Sequence, residues 1–170
     1  MTRSATRHFF VSQQLIPGLI NGLINGAIAG SMHGAESRLG LWDQGAYAHD
    51  LLATGLLLPA ITWWILRPLL RSQSAKGKAP DLQGVPNPRL LRWMHAGVWS
   101  GALAIGLMGM LLVGGGSTLV LHLLGAPDFS GTDYVYLKGG FALLLTFCLQ
   151  PTMVFAALRT SAQATQAARI

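Results

Sequence analysis

Residues Pro17–Gly30 read PGLINGLINGAIAG, with glycine at Gly18, Gly22, Gly26 and Gly30 and an asparagine ahead of two of them, Asn21 and Asn25. In a water-exposed helix each glycine costs about 1 kcal/mol relative to alanine, and amides do not belong in an apolar run. A bilayer reverses the balance. There the helical state is enforced because backbone polar groups have no water to bond, and small residues at four-residue spacing, the GxxxG pattern, let two helices approach closely. The stretch therefore reads as a membrane helix, and the question becomes how far the rest of the chain agrees.

The chain of 170 residues is 51% hydrophobic and only 11% charged, with a mean hydropathy of +0.44, against about 25% charged residues in soluble domains. Four stretches lack Asp, Glu, Lys and Arg altogether: Phe9–Met32, Leu51–Leu66, Trp93–Pro127 and Gly139–Leu158. A membrane helix needs about 20 apolar residues. Three stretches fit directly, and the second is extended by Pro68, Leu69 and Leu70 if the Arg67 stem snorkels toward headgroups. A soluble bundle would need polar faces at 3.6-residue spacing, which none of the four has. The first stretch is too long, and too interrupted by Gln13, Gln14, Asn21 and Asn25, for a signal peptide. The sequence thus predicts an all-α membrane protein, one domain over 1–170, with four transmembrane helices at about 9–33, 48–71, 90–124 and 134–160 and a linker at about 72–89. The start of the third, RLLRWMH, is expected to project into the interface, with Trp93 and Trp99 at headgroup level.

Charge sets the expected orientation. Ten of the twelve Lys and Arg residues fall on the side of the termini and the linker, leaving only Arg38 and Lys138 opposite, beside Glu36, Asp43, Asp50, Asp128 and Asp133. By the positive-inside rule both termini are cytoplasmic. The size, this charge topology and nine arginines to three lysines point to the inner membrane of a GC-rich bacterium. The basic linker SQSAKGKAPDLQGVPNPR has no aromatics among its charges, so topology and anionic lipid account for it better than nucleic acid does.

Each outer loop is expected to join two helices into a hairpin, giving two parallel helical hairpins. Residues 54–62, TGLLLPAIT, overlay 138–146, KGGFALLLT, and since both hairpins are expected to begin and end inside, any duplication is parallel rather than inverted. The segment TGLLLPAITWWILRPLLR after Asp50, together with the NGxxNGAIA run, resembles a loose group of small four-span bacterial inner-membrane proteins of unknown function. That resemblance implies a related fold and no particular activity.

At 100° per residue, Gln14, Gly18, Asn21 and Asn25 share a narrow wedge of the first helix, while Gly22, Gly26 and Gly30 drift round the adjacent face. Helices in lipid associate through such small residues and through interhelical hydrogen bonds, so each asparagine requires a partner. Ser100, Thr62, Thr146 and Gln150 are the candidates, and Gly97 with Gly101 forms a matching small pair on the third helix. The polar face serves either as packing glue or as the lining of a solute path.

A second constellation collects at the outer ends of the helices: His33, His49, Asp50, His122, Asp133 and Lys138. Lys138 is expected to pair with Asp50 or Asp133, or to snorkel. Histidines His33, His49 and His122 offer an alternative role, holding a transition metal or haem b in an electron-transfer module, although no two of them show a diagnostic spacing. No phosphate-binding loop, dinucleotide fingerprint, HExxH or GxSxG is present, and the run Gly114–Gly116 is expected to loosen its helix instead. The lone Cys148 is expected in the core. The sequence therefore points to a non-enzymatic membrane protein without a resident cofactor. Its expected partners are the lipid bilayer and a homo-oligomer or larger membrane complex, in a permease-like or accessory capacity, and not nucleic acid.

Overall fold

The structure, a computed structural model, describes residues 3–36, 38–42, 46–80 and 97–167, with side chains over 8–9, 11–36, 38–42, 46–80 and 97–159. Outside these lie Asp43, the second half of the linker with the turn RLLRWMH and Trp93, and the side chains of Arg3, Arg7 and Arg169. Four helices account for the described chain: α1 (Arg3–His33), α2 (Tyr47–Ala75), α3 (Val98–Leu123) and α4 (Gly131–Ala167). Each contains a segment long and apolar enough to cross a membrane, so the fold is an all-α, multi-pass membrane protein. No strand occurs among the described residues beyond a single bridge between two loops.

The first and second helices, and the third and fourth, were expected to form hairpins, but the packed pairs are different. The most extensive contact joins α1 to α4; α4 also packs on α2, and α2 on α3, while α1 and α2 barely meet. The order across the bundle is α1, α4, α2, α3. Close approach at small residues decides this. A Cβ at Gly22 would stand 3.1 Å from the Gly139 carbonyl oxygen, and one at Gly139 would stand 3.1 Å from the carbonyl of Gly22, so the two backbones touch directly. Gly18, Gly26 and Gly30 continue the seam against Phe147 and Val135. Between α2 and α3, Gly55 lies against Gly109, Leu56 against Gly106, and the indole of Trp63 against Gly101.

The row looks alike from either end, since α1 lies on α4 as α3 lies on α2. The 84-residue offset that overlays Thr54 on Lys138 also carries Gly22 onto Gly106 and Gly55 onto Gly139, the glycines at the two outer seams.

Within α3, residues Gly109–Gly115 form a π-helix. The wide turn begins five residues before the Gly114–Gly116 run and ends within it. Pro59 cannot donate to the Gly55 carbonyl, and Gly109 brings its backbone against that same carbonyl. Glycine is required there because any side chain would collide with the Gly55 oxygen.

At the end of the bundle holding His33 and Tyr47, two loops close over the helices. Leu39 and Phe129 exchange backbone hydrogen bonds of 2.8 and 3.1 Å, and the Gly131 amide donates to the Glu36 carbonyl at 2.8 Å. The first amides of α2, from Tyr47 and Ala48, donate to the carbonyls of Gly40 and Leu41 at 3.2 Å, which satisfies groups that no side chain caps. Gly125, at φ 95°, ends α3 with the Ala126 amide reaching back to the Leu121 carbonyl at 2.9 Å. Leu39, Leu41 and Tyr47 are buried beneath this cap.

Candidate functional site

The polar face of α1 turns toward α4. Asn21 Nδ2 donates to Thr146 Oγ1 at 2.9 Å, and that hydroxyl donates to the Ala142 carbonyl at 2.9 Å. One turn toward the basic end, Gln150 Nε2 donates to the Gln13 carbonyl, also at 2.9 Å. Asn25 takes no partner from another helix; its amide donates to the Asn21 carbonyl within α1. Gln14 is half-buried and joins none of these bonds.

Two of the four candidate partners lie elsewhere. Thr62 donates to the Leu58 carbonyl of its own helix at 2.7 Å, and exposed Ser100 points to the Gly97 carbonyl at 3.4 Å. Both hydroxyls satisfy themselves locally, as short polar side chains in helices do. Gly97 precedes α3 and among the described residues a Cβ there would meet only Ser100, whereas one at Gly101 would meet the Trp63 indole of α2. The space enclosed by Pro59, Thr62, Thr146 and Gln150 is too small for a water molecule. Gln150 Oε1 is buried there without a hydrogen-bond partner.

The outer-face residues separate into three groups. Lys138, only 2% exposed, places Nζ 2.5 Å from Asp50 Oδ1, 2.5 Å from Thr54 Oγ1 and 3.2 Å from the Asp50 carbonyl. The Tyr134 hydroxyl donates to the other Asp50 oxygen. This pairing, rather than snorkelling or a bond to Asp133, accounts for the lysine. The Tyr134 ring also meets the rings of Tyr47 and His33 at 5.9 and 5.6 Å. Asp133 instead takes part in the start of α4, accepting from Ser130 Oγ at 2.6 Å while its amide donates back at 3.2 Å.

The histidines do not converge. His33 Nδ1 lies 3.0 Å from Glu36 Oε1, whereas His49 and His122 each set an edge against Trp42, at 6.3 and 6.4 Å between centroids. Among the described residues no three His, Cys, Asp or Glu side chains are grouped to hold a metal. The arrangement can fasten helices together.

Two further placements depart from expectation. Arg67 does not extend into lipid: it is 6% exposed, with its guanidinium 5.7 Å from the Trp63 ring. Cys148 is exposed rather than in the core, and lines an apolar groove of about 770 Å³ between α3 and α4 with Leu112, Gly116, Tyr136 and Gly140. Both follow from the packing order, which one sequence does not reveal. Tyr134, Thr54 and Gly139 went unnoticed for the same reason, although the adjacent glycines of KGGF were a visible signal. No protein-family model, curated protein or solved structure matches the chain.

Proposed function

We propose that the chain is a non-enzymatic, multi-pass subunit of the bacterial inner membrane, with both termini cytoplasmic, acting as a structural or accessory component rather than as a solute path. The Asn21–Thr146 bond carries this reading. It lies on the seam where the backbones of Gly22 and Gly139 touch directly, so the Gly/Asn face of α1 serves as packing glue between α1 and α4. A carrier driven by ions needs ionisable groups exposed to a cavity, whereas Lys138 is enclosed by Asp50, Thr54 and Tyr134. The concave surfaces between α3 and α4 and between α1 and α4 are apolar, which suits contact with lipid or with another membrane helix. The shared 84-residue offset supports two parallel repeats whose first helices have exchanged places.

Reconstituted vesicles test the proposal. Swelling assays with water, glycerol and small amino acids should give the rates of protein-free vesicles. Flux that the chain supports and that Asn21→Leu abolishes would assign the polar face to transport and overturn the structural role.

A further inference from the structure

Within α3 the wide turn Gly109–Gly115 separates two parts that are held differently. The part up to the turn rests on α2, with Gly101 against Trp63, Gly106 against Leu56 and Gly109 against Gly55. In the part beyond it, Gly116–Leu123, the one buried residue is Thr118, while Leu119, Val120 and Leu123 are exposed. A Cβ at Gly116 would meet nothing within 4 Å, and one at Gly115 only the Met110 carbonyl of its own helix, at 3.5 Å. The outer part of α3 therefore rests on the bundle mainly through Thr118 and the half-buried Leu121.

A wide turn spends one residue more than an α-turn. If it tightens to α geometry, the outer part turns by about 100° and moves about 1.5 Å along the helix axis, and each place is taken by the residue that precedes its present occupant. The sequence makes this an exchange of like for like. Ser117 takes the buried place of Thr118, Val120 that of Leu121, and Gly115 that of Gly116. Thr118, turned outward, carries no unsatisfied hydroxyl into lipid, because it already donates to the Gly114 carbonyl of its own helix at 2.9 Å, a bond across four residues that an α-helix keeps. Residues 124–126 take up the displacement. Gly125 and Ala126 both sit at positive φ, and the first fixed group beyond them is the Pro127 carbonyl, bonded by Tyr47 Oη at 2.8 Å.

We infer that the outer part of α3 is a two-state element, switching between the present register and one advanced by a single residue, with the turn Gly109–Gly115 as its hinge. Helix register shifts of this kind occur in microseconds to milliseconds. The switch reshapes the groove between α3 and α4, where Gly116, Ser117 and Val120 form part of the wall. Their places pass to Gly115, Gly116 and Leu119, so a hydroxyl leaves the groove and a larger side chain enters it. His122 is carried away from Trp42, whose ring it now meets at 6.4 Å. A molecule that fits one form of the groove better draws the helix into that form, whether or not the chain serves as an accessory subunit.

Fluorine NMR on the full chain in lipid nanodiscs tests this, with Cys148→Ser and a trifluoromethyl thiol label at Leu123→Cys beyond the turn or, in a second sample, at Leu103→Cys before it. Both positions are exposed. The label at 123 should give two lines, or one line broadened by exchange in relaxation dispersion, and the label at 103 one sharp line. Deleting Gly115 removes the extra residue and should collapse the signal at 123 to a single line without exchange. Ser117→Leu should do the same at full chain length, since leucine fits the open groove but not the buried place of Thr118, and it decides the question if the deletion variant does not fold. A single sharp line at 123 with the turn intact would overturn the switch. So would doubling that survives in the folded variants, or equal doubling at 103, which would mean that the whole helix moves.

Discussion

The ammonium of Lys138 lies 2.5 Å from a carboxylate oxygen of Asp50, joining α4 to α2 at their capped ends. The lysine side chain is 3% exposed and the aspartate 39%, so one partner is withdrawn from water and the other keeps part of its hydration. Removing either charge strands the other. Lys138→Met or Asp50→Asn should each lower stability by about 3 kcal/mol, the lower part of the range for buried pairs. The double variant should lose less than the sum of the two. Thermal unfolding in detergent, read by intrinsic fluorescence, gives the comparison; additive losses would mean the pair is not coupled.

At the α1–α4 seam, neighbouring glycines should respond differently. A Cβ at Gly139 would lie 3.1 Å from the Gly22 carbonyl, whereas one at Gly140 meets nothing within 4 Å. Gly139→Ala should therefore cost about 1 to 3 kcal/mol through overpacking, Gly22→Ile more, and Gly140→Ala almost nothing. Equal effects at 139 and 140 would place the seam elsewhere.

The two asparagines should also separate. Asn21→Ala breaks an interhelical bond worth about 0.6 to 2 kcal/mol in membranes, and a double-mutant cycle with Thr146→Val should recover that coupling. Asn25→Ala removes only a bond within α1 and should show no coupling to Thr146. Gln150→Leu should be nearly neutral, because it gives up the bond to Gln13 but also removes the unpaired Oε1.

In the cap, burial should outweigh charge. Tyr47 Oη donates to the Pro127 carbonyl at 2.8 Å, and Tyr47→Phe should cost about 1 kcal/mol. Arg38 Nε lies 2.8 Å from Asp128 Oδ2, but both side chains are exposed, so Arg38→Ala should cost no more than about 1 kcal/mol. Chemical unfolding of both variants ranks them, and a larger loss from Arg38→Ala would reverse the order.

The helices were legible because charge-free stretches of membrane length are a property of composition, whereas their ends were less so: α1 begins at Arg3 rather than about 9, α3 at Val98 rather than about 90, and α4 runs to Ala167 rather than about 160. Thr146 was one of four partners that chemistry allowed for Asn21, but nothing local distinguished it from Ser100. That choice depends on α1 lying beside α4, which Gly139 decides from more than a hundred residues away. Arg67 illustrates the same boundary of legibility. Its position near a span end fits snorkelling, and only the placement of its neighbours shows that the guanidinium is enclosed. The bridge between Leu39 and Phe129 has no local signal, because each lies in a short loop whose partner is fixed by helix order.

Pairing the first helix with the last also has a consequence for biosynthesis. Asn21 and Thr146 are 125 residues apart, and at about 5–20 residues per second a ribosome takes roughly 6 to 25 s to travel between them. For that interval α1 sits in the bilayer with its glycine seam uncovered and its amide unpaired. A chain that stalls before α4 is complete leaves both exposed to whatever membrane helix arrives first, so α1 waits on a helix made much later for its protection.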